Sequence, residues 1–164
     1  MSEVIVRPAT DADWPAIWPI VEAVVRAGET YTYPRDLTEP AAKAIWMQTR
    51  PGVTLVAVDG DRVLGSATIK PNQMGGGAHV ANASFMVGPD ARGRGVGRLL
   101  GKTALDWAQS ASFVAMQFNA VVETNTTAVA LWKSLGFDVL ATVPEAFDHP
   151  TAGLVGLLVM HRRL

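Results

Sequence analysis

Phe85-Met86-Val87-Gly88-Pro89-Asp90-Ala91-Arg92-Gly93-Arg94-Gly95-Val96-Gly97-Arg98 is the stretch on which the reading of this chain turns. A β-rich run ends at Val87, and from Val96 the residues Leu99, Leu100, Thr103, Ala104 and Trp107 recur three and four apart, the period of one buried helix face. A strand, a glycine-rich turn and a helix in immediate succession aim the unpaired N–H groups of the helix start, and the positive end of its dipole, at one place. Glycine at 93, 95 and 97 lets the backbone approach a ligand with no Cβ in the way, while Arg92, Arg94 and Arg98 add charge where the dipole already favours an anion. The expected ligand group is a pyrophosphate.

Two commoner glycine motifs do not fit. A P-loop needs glycine five residues before the Gly101-Lys102-Thr103 triplet, where this chain has Val96, and from Gly97 the spacing is one residue short. A dinucleotide fingerprint started at Gly95 reaches Leu100 and one started at Gly93 reaches Arg98, neither of them glycine.

Outward from this stretch, hydrophobic periods and turn signals give the order β-α-α-β-β-β-α-β-α-β-β. Val4 to Arg7 reads as a strand, Thr10 with Asp13 as a cap opening a helix to about Ala27, and Thr38 with Pro40 as the start of a second helix to about Arg50. Val53 to Val58 and Arg62 to Lys70 form a hairpin about Asp59-Gly60-Asp61, and Val80 to Val87 is the next strand. Met116 to Val122 is a strand, Thr126 to Leu135 a helix stopped by Gly136, and Phe137 to Thr142 and Gly153 to His161 are the last strands. Phe147-Asp148-His149-Pro150 falls between them as a loop. Hairpins first and strand–helix crossovers later predict a mixed α/β fold, one sheet flanked by helices, with no linker or internal repeat.

Composition bounds the rest. The 164 residues suit one domain, 1–164, and 49% hydrophobic with 18% charged residues excludes a disordered chain. Fourteen Lys and Arg against 15 Asp and Glu leave a net charge of -1, which offers no broad field for nucleic acid or an anionic membrane. Without cysteine there is no disulfide, no thiolate metal ligand and no Cys nucleophile to carry a covalently bound group; no metal is expected. The N-terminal residues carry no basic leader and no long apolar core, from which we expect a cytoplasmic protein, and the apolar character leads us to expect a homodimer.

Arg92-Gly93-Arg94-Gly95-Val96-Gly97 resembles the acyl-CoA-binding motif of the GNAT superfamily of N-acetyltransferases: Gln or Arg, two variable residues, Gly, one variable residue, then Gly or Ala. Downstream, Asn125, Ala128, Leu131-Trp132 and Gly136-Phe137 are similar to that family's Asn, Ala, Leu-Tyr and Gly-Phe spacing. The likeness covers essentially the whole chain. It implies the GNAT fold, a mostly antiparallel sheet of about seven strands flanked by about four helices, and acetyl-CoA as donor. Glu29 to Pro34 and the Asn72 to Asn82 region look like the branch acting on small amines and amino-acid-like compounds such as phosphinothricin.

The resemblance also implies roles. Phe85, Met86 and Val87 would pair with the pantetheine arm like another strand, with an N–H there, assigned to Met86, taking the thioester oxygen. Arg92, Gly93, Arg94, Gly95, Val96, Gly97 and Arg98 would hold the pyrophosphate, Asn125 would contact the pantetheine, and Lys133 would reach toward the phosphates. Trp132 stands where the family commonly has a Tyr acid; an indole N–H donates a hydrogen bond but does not give up its proton, so Trp132 either steadies the departing thiolate or packs the helix.

No single base stands out among Glu29, Glu123 and His79; Glu29, in the aromatic loop, is the first candidate, and a water relay is the alternative. Glu29, Tyr31, Tyr33, Asn82 and Asn119 are candidates for binding the acceptor, and Asn82 is also a catalytic candidate through orienting it, with loop anchoring and strand-end or bulge bonding as the structural alternatives. The expected function is direct acetyl transfer from acetyl-CoA to the amine of a small molecule, an amino acid or amino-acid analogue among the candidates. A CoA-binding module without catalysis and a protein N-acetyltransferase are the competing readings.

Overall fold

The computed structural model describes residues 3–164. The cap read from Thr10 and Asp13 is in place: the Thr10 N–H donates to Asp13 Oδ2 at 2.7 Å, and helix α1 (Trp14–Ala27) follows until Gly28, at φ 66°, ends it. Helix α2 (Glu39–Trp46) starts on schedule but stops four residues before the expected Arg50. The cause is Thr54. Its hydroxyl donates to the Trp46 carbonyl at 2.7 Å and accepts the Gln48 N–H at 2.8 Å, so groups that would have continued the helix bond to the sheet instead.

Strands β1 (Ile5–Pro8), β2 (Val53–Asp59), β3 (Arg62–Pro71), β4 (Val80–Val87), β5 (Ala115–Val122), β6 (Asp138–His149) and β7 (Gly153–Arg163) form one sheet in the order β1-β2-β3-β4-β5-β7-β6. All neighbours are antiparallel except β4 and β5, the crossover made by helix α3 (Val96–Ser110). Helix α4 (Thr126–Ser134) connects β5 to β6. This is the mixed, mostly antiparallel seven-stranded sheet with four α-helices that the sequence predicts.

Successive residues of a strand point to opposite faces, and both faces of the sheet are covered at β2 and β3, whereas β6 is mostly exposed. In β2, Leu55 and Ala57 pack into the layer of α3 and α4, with Leu100, Ala104 and Trp132, whereas Val56 and Val58 pack with Trp14, Ile17, Val21 and Trp46 of α1 and α2. Trp14 and Trp46 are therefore core residues. The last hairpin departs from expectation: Phe147, Asp148 and His149 are not a loop but strand, paired with Val155, Leu154 and Gly153. Pairing breaks between Val143 and Phe147, where Glu145 takes φ 52°, and then resumes, so a bulge lengthens the strand where sequence reading saw its end.

Two features place the site. Strands β4 and β5 pair only at Val80↔Ala115 and Ala81↔Met116, and beyond these they part. On the other side of β5 the register with β7 shifts between Phe118 and Val121, a bulge that bends β5 away from β4.

Polar groups buried beneath this sheet are chained together. The Trp46 indole N–H donates to Ser66 Oγ at 2.9 Å, and Ser66 donates on to the Leu55 carbonyl at 2.7 Å. Ser66→Ala strands a fully buried N–H, so we expect the variant to lose about 1–3 kcal/mol of stability with an unchanged denaturant slope, measured by urea titration.

Candidate active site

Which peptide groups the fork exposes follows from strand alternation. The Gly88 N–H donates to Leu64 O and the Asn72 N–H to Val80 O, both at 2.8 Å, and the β3–β4 register between them is unbroken. Residues 82, 84, 86 and 88 therefore turn their peptide groups to β3, and 83, 85 and 87 turn theirs to the open side. Met86 is thus a correction: its N–H belongs to the ladder with Ser66, and its side chain is buried on the α1–α2 face. The groups that a strand-like ligand can reach are those of Phe85 and Val87. In this structure the Tyr31 hydroxyl accepts the Phe85 N–H at 2.8 Å and donates to the Phe85 carbonyl at 2.6 Å.

The mouth of the fork is closed at its narrow end by amides. Asn82 Nδ2 donates to the Gln117 carbonyl at 3.0 Å, standing in for the strand pairing that stops there. The Gln117 side chain donates to Asn119 Oδ1 at 3.1 Å, and Asn119 Nδ2 donates to Asn72 Oδ1 at 2.7 Å. Asn82 and Asn119 are so brought into one row, with Gln117 and Asn72 as members the sequence reading did not single out. The signal for Gln117 was faint, a polar side chain two positions before Asn119 on β5, and Asn72, just past β3, had none.

At the far end, the loop before α3 has the form that an anion needs. Gly93 and Gly95 both take φ 75°, a left-handed conformation that favours glycine, and a Cβ on either would meet nothing within 4 Å. Gly95 is the N-cap of α3 and makes no side-chain cap hydrogen bond to the first-turn N–H groups. At Gly97 a Cβ would meet Leu131 and Val87 at 3.5 and 3.8 Å, ordinary contact distances, so neither space nor backbone conformation demands glycine there. These are the features of a cradle that a pyrophosphate fits. Arg92 is exposed, Arg98 donates to Ser134 Oγ at 3.0 Å, and Arg94 pairs with Asp59 at 2.9 Å. A pair this exposed is worth about 0–1 kcal/mol, too little to keep Arg94 from a doubly charged ligand. Asp59, on the β2–β3 turn, is a partner that sequence reading missed because it is distant in the chain.

From α4, Asn125 caps the helix, its Oδ1 accepting the Ala128 N–H at 3.4 Å. Trp132 is buried against Phe85, Phe118 and Phe137, with ring centroids at 4.6, 4.9 and 6.1 Å, and its ring edge also meets Gly101. Packing accounts for this side chain. Lys133 is exposed.

Tyr31 and Tyr33 stack in parallel, centroids 5.8 Å apart, and burial raises the pKa of both phenols, with Ser84 alongside. Both therefore stay protonated near neutral pH. Of the candidate bases, Glu123 is committed to the Gly156 N–H at 2.6 Å, a bond that fills the irregular turn from β5, while Glu29 and His79 lie on the exposed surface. The structure brings together Phe85, Tyr31, Tyr33 and Trp132 around the fork and leaves Glu123 outside it.

The model of the acetyltransferase (GNAT) family matches residues 18–137. Among solved structures, a GCN5-related N-acetyltransferase from Kribbella flavida superposes with a TM-score of 0.95 at 60% identity over 98% of each chain. The acetyltransferase yncA from Salmonella typhimurium, solved with its cofactor acetyl-CoA, superposes at 0.87 with 25% identity over 99% of this chain and 95% of that one. The N-acetyltransferase aca1 of Schizosaccharomyces pombe is 36% identical over 84 residues, 51% of this chain and 40% of the relative, so the match spans less than half of that curated protein.

The cradle makes a sharp expectation. Gly95→Asp meets no steric obstacle and Asp tolerates the left-handed conformation better than most residues, yet it puts a carboxylate among the anion donors. By calorimetry, Gly95→Asp loses acetyl-CoA binding by at least about a hundredfold and Gly95→Asn by much less, because like-charge juxtaposition costs several kcal/mol; equal affinities for the two variants and the parent would reject the cradle.

Proposed function

The chain belongs to the acetyltransferase (GNAT) family, and from that premise we propose that it moves the acetyl group of acetyl-CoA directly to the amine of a small molecule, an amino acid or amino-acid analogue being the class expected. The observation that carries the proposal is the fork: a strand edge left open after two pairs, with an anion cradle at one end and a row of amides and phenols at the other. Acetyl-CoA, when bound, supplies an acyl carbon already activated by a thiolate leaving group.

The chain's own residues do the rest. Gly93, Gly95 and the first-turn N–H groups of α3 hold the pyrophosphate, with Arg92, Arg94 and Arg98 adding charge at its rim. Phe85 and Val87 offer the peptide groups along which an extended arm pairs as an added strand. The Phe85 N–H is the donor aimed at the acyl oxygen, where negative charge grows as the amine attacks. Asn82, with Asn119 behind it, and Tyr33 line the acceptor side and orient a polar substrate. The amine must lose a proton to attack, and with Glu123 bonded to Gly156 and both Glu29 and His79 exposed, we assign that proton to water. Trp132 holds the ring of Phe85 and so the position of its peptide; it is a positioning residue, not an acid.

Two measurements test this reading. Thiol release from acetyl-CoA by the purified protein, across free amino acids, simple amines and N-terminal peptides, should be fastest for an amine of the first two classes; tight CoA binding with no release for any of them would leave a binding module, and a peptide preference would turn the assignment to proteins. Trp132→Phe keeps most of the buried ring and should lower turnover by no more than about tenfold, roughly 1.4 kcal/mol. A normally folded Trp132→Phe protein that binds acetyl-CoA and loses a thousandfold in turnover would show that the indole N–H acts on the reacting atoms.

A further inference from the structure

A strand edge ordinarily takes its hydrogen bonds from a neighbouring strand; at Phe85 one phenol, 54 positions away in the chain, takes both the N–H and the carbonyl. The loop that delivers it is fastened. Gly28 ends α1 at φ 66°, Arg35 Nε donates to the Arg26 carbonyl at 2.9 Å, Arg26 donates back to the Arg35 carbonyl, and the Tyr31 ring lies flat on Tyr33, 5° from parallel. The hydroxyl therefore sits where the acetyl-transfer reading puts the acyl oxygen, within hydrogen-bond distance of the same N–H.

We propose, resting on that reading, that Tyr31 is a further catalytic residue: its hydroxyl holds the acyl-oxygen position in the free protein, gives it up when the thioester arrives, and then donates to that oxygen beside the Phe85 N–H. Two oxygens cannot share one position, and their closest approach is a hydrogen bond of about 2.7 Å, so the hydroxyl retreats by about that distance and its O–H is left facing the newcomer. Its present acceptor, the Phe85 carbonyl, is the group that an arm pairing like a strand would take. Burial keeps the phenol protonated, which suits a donor and excludes a base. In the transfer the amine nitrogen forms the C–N bond, the carbonyl π pair moves onto the acyl oxygen and returns as the C–S bond breaks, sulfur leaves with its electron pair, and the surplus amine proton passes to solvent. Tyr31 keeps its proton throughout. The growing charge on oxygen thus meets two donors where the sequence motifs supplied one.

Tyr31→Phe retains the ring and its stacking and removes only the hydroxyl. The expected result is a fall in kcat of about a hundredfold, as for an oxyanion-hole donor, with the KM for the amine within about threefold. Acetyl-CoA affinity, measured by calorimetry without amine, stays equal or tightens, since no hydroxyl has to be displaced. A fall in kcat of less than about tenfold, or acetyl-CoA binding weakened by about tenfold or more, overturns the proposal. A second measurement does not depend on the variant folding. The chain has two tyrosines, so the protein made with 3-fluorotyrosine gives two fluorine signals, assigned with Tyr33→Phe. Saturation with acetyl-CoA alone must shift the Tyr31 signal; a signal unmoved at saturation also overturns the proposal. A parent protein that neither binds acetyl-CoA nor acetylates any amine would instead sink the acetyl-transfer reading, an outcome distinct from an active parent matched by its Tyr31→Phe variant.

Discussion

The site proposed for this protein depends on two neighbouring strands that stop being neighbours. Val80 and Ala81 pair with Ala115 and Met116, and then β4 keeps its unbroken register with β3 while β5 carries a bulge against β7. A parallel pair that continued would bury the peptide groups of Phe85 and Val87 in a ladder. Parting leaves them available, and the cost of unpaired backbone is limited because Asn82 bonds to Gln117 at the vertex and Tyr31 bonds to Phe85 further out. Side chains thus replace main-chain partners at the places where a ligand is to compete for them.

The two sides of the fork are held by different forces. On the α3–α4 side an aromatic cluster of Phe85, Phe118, Trp132 and Phe137 fixes the strand from below, and Gly101 lets α3 and α4 approach closely, with Leu135 and Trp132 where a Cβ would be. Such packing is stiff, because interiors at this density have few alternative arrangements. Facing the fork from the other side are the Tyr31 hydroxyl, on the loop after α1, and, at the vertex, the Asn82 amide of β4, hydrogen bonds that can exchange partners at small cost.

Hydrogen-bond direction decides between residues that are adjacent in sequence. Phe85, Met86 and Val87 are all apolar; alternation separates the middle one from its neighbours, and only the ladder with β3 shows that Met86 is the one whose N–H is turned away from the fork. The same applies to the arginines of the glycine loop. Three carry the same charge, but Arg94 is tied to Asp59 and Arg98 to Ser134, leaving Arg92 as the one whose guanidinium has no such tether among the described residues.

Local chemistry made much of this legible without coordinates. The glycines at 93 and 95 are required by backbone sterics at the turn they occupy, Thr10 and Asp13 by helix capping, and the element order by periods of two and of three to four, all of which act within a few residues. What acts across the sheet was not legible: the shortening of α2 by Thr54, the resumption of β6 after Glu145, the orientation of Met86, the row from Asn72 to Asn82, and the hydroxyl of Tyr31 on Phe85. Each of these depends on which atoms the tertiary fold brings within hydrogen-bond reach from distant positions, and no spacing along the chain encodes that distance.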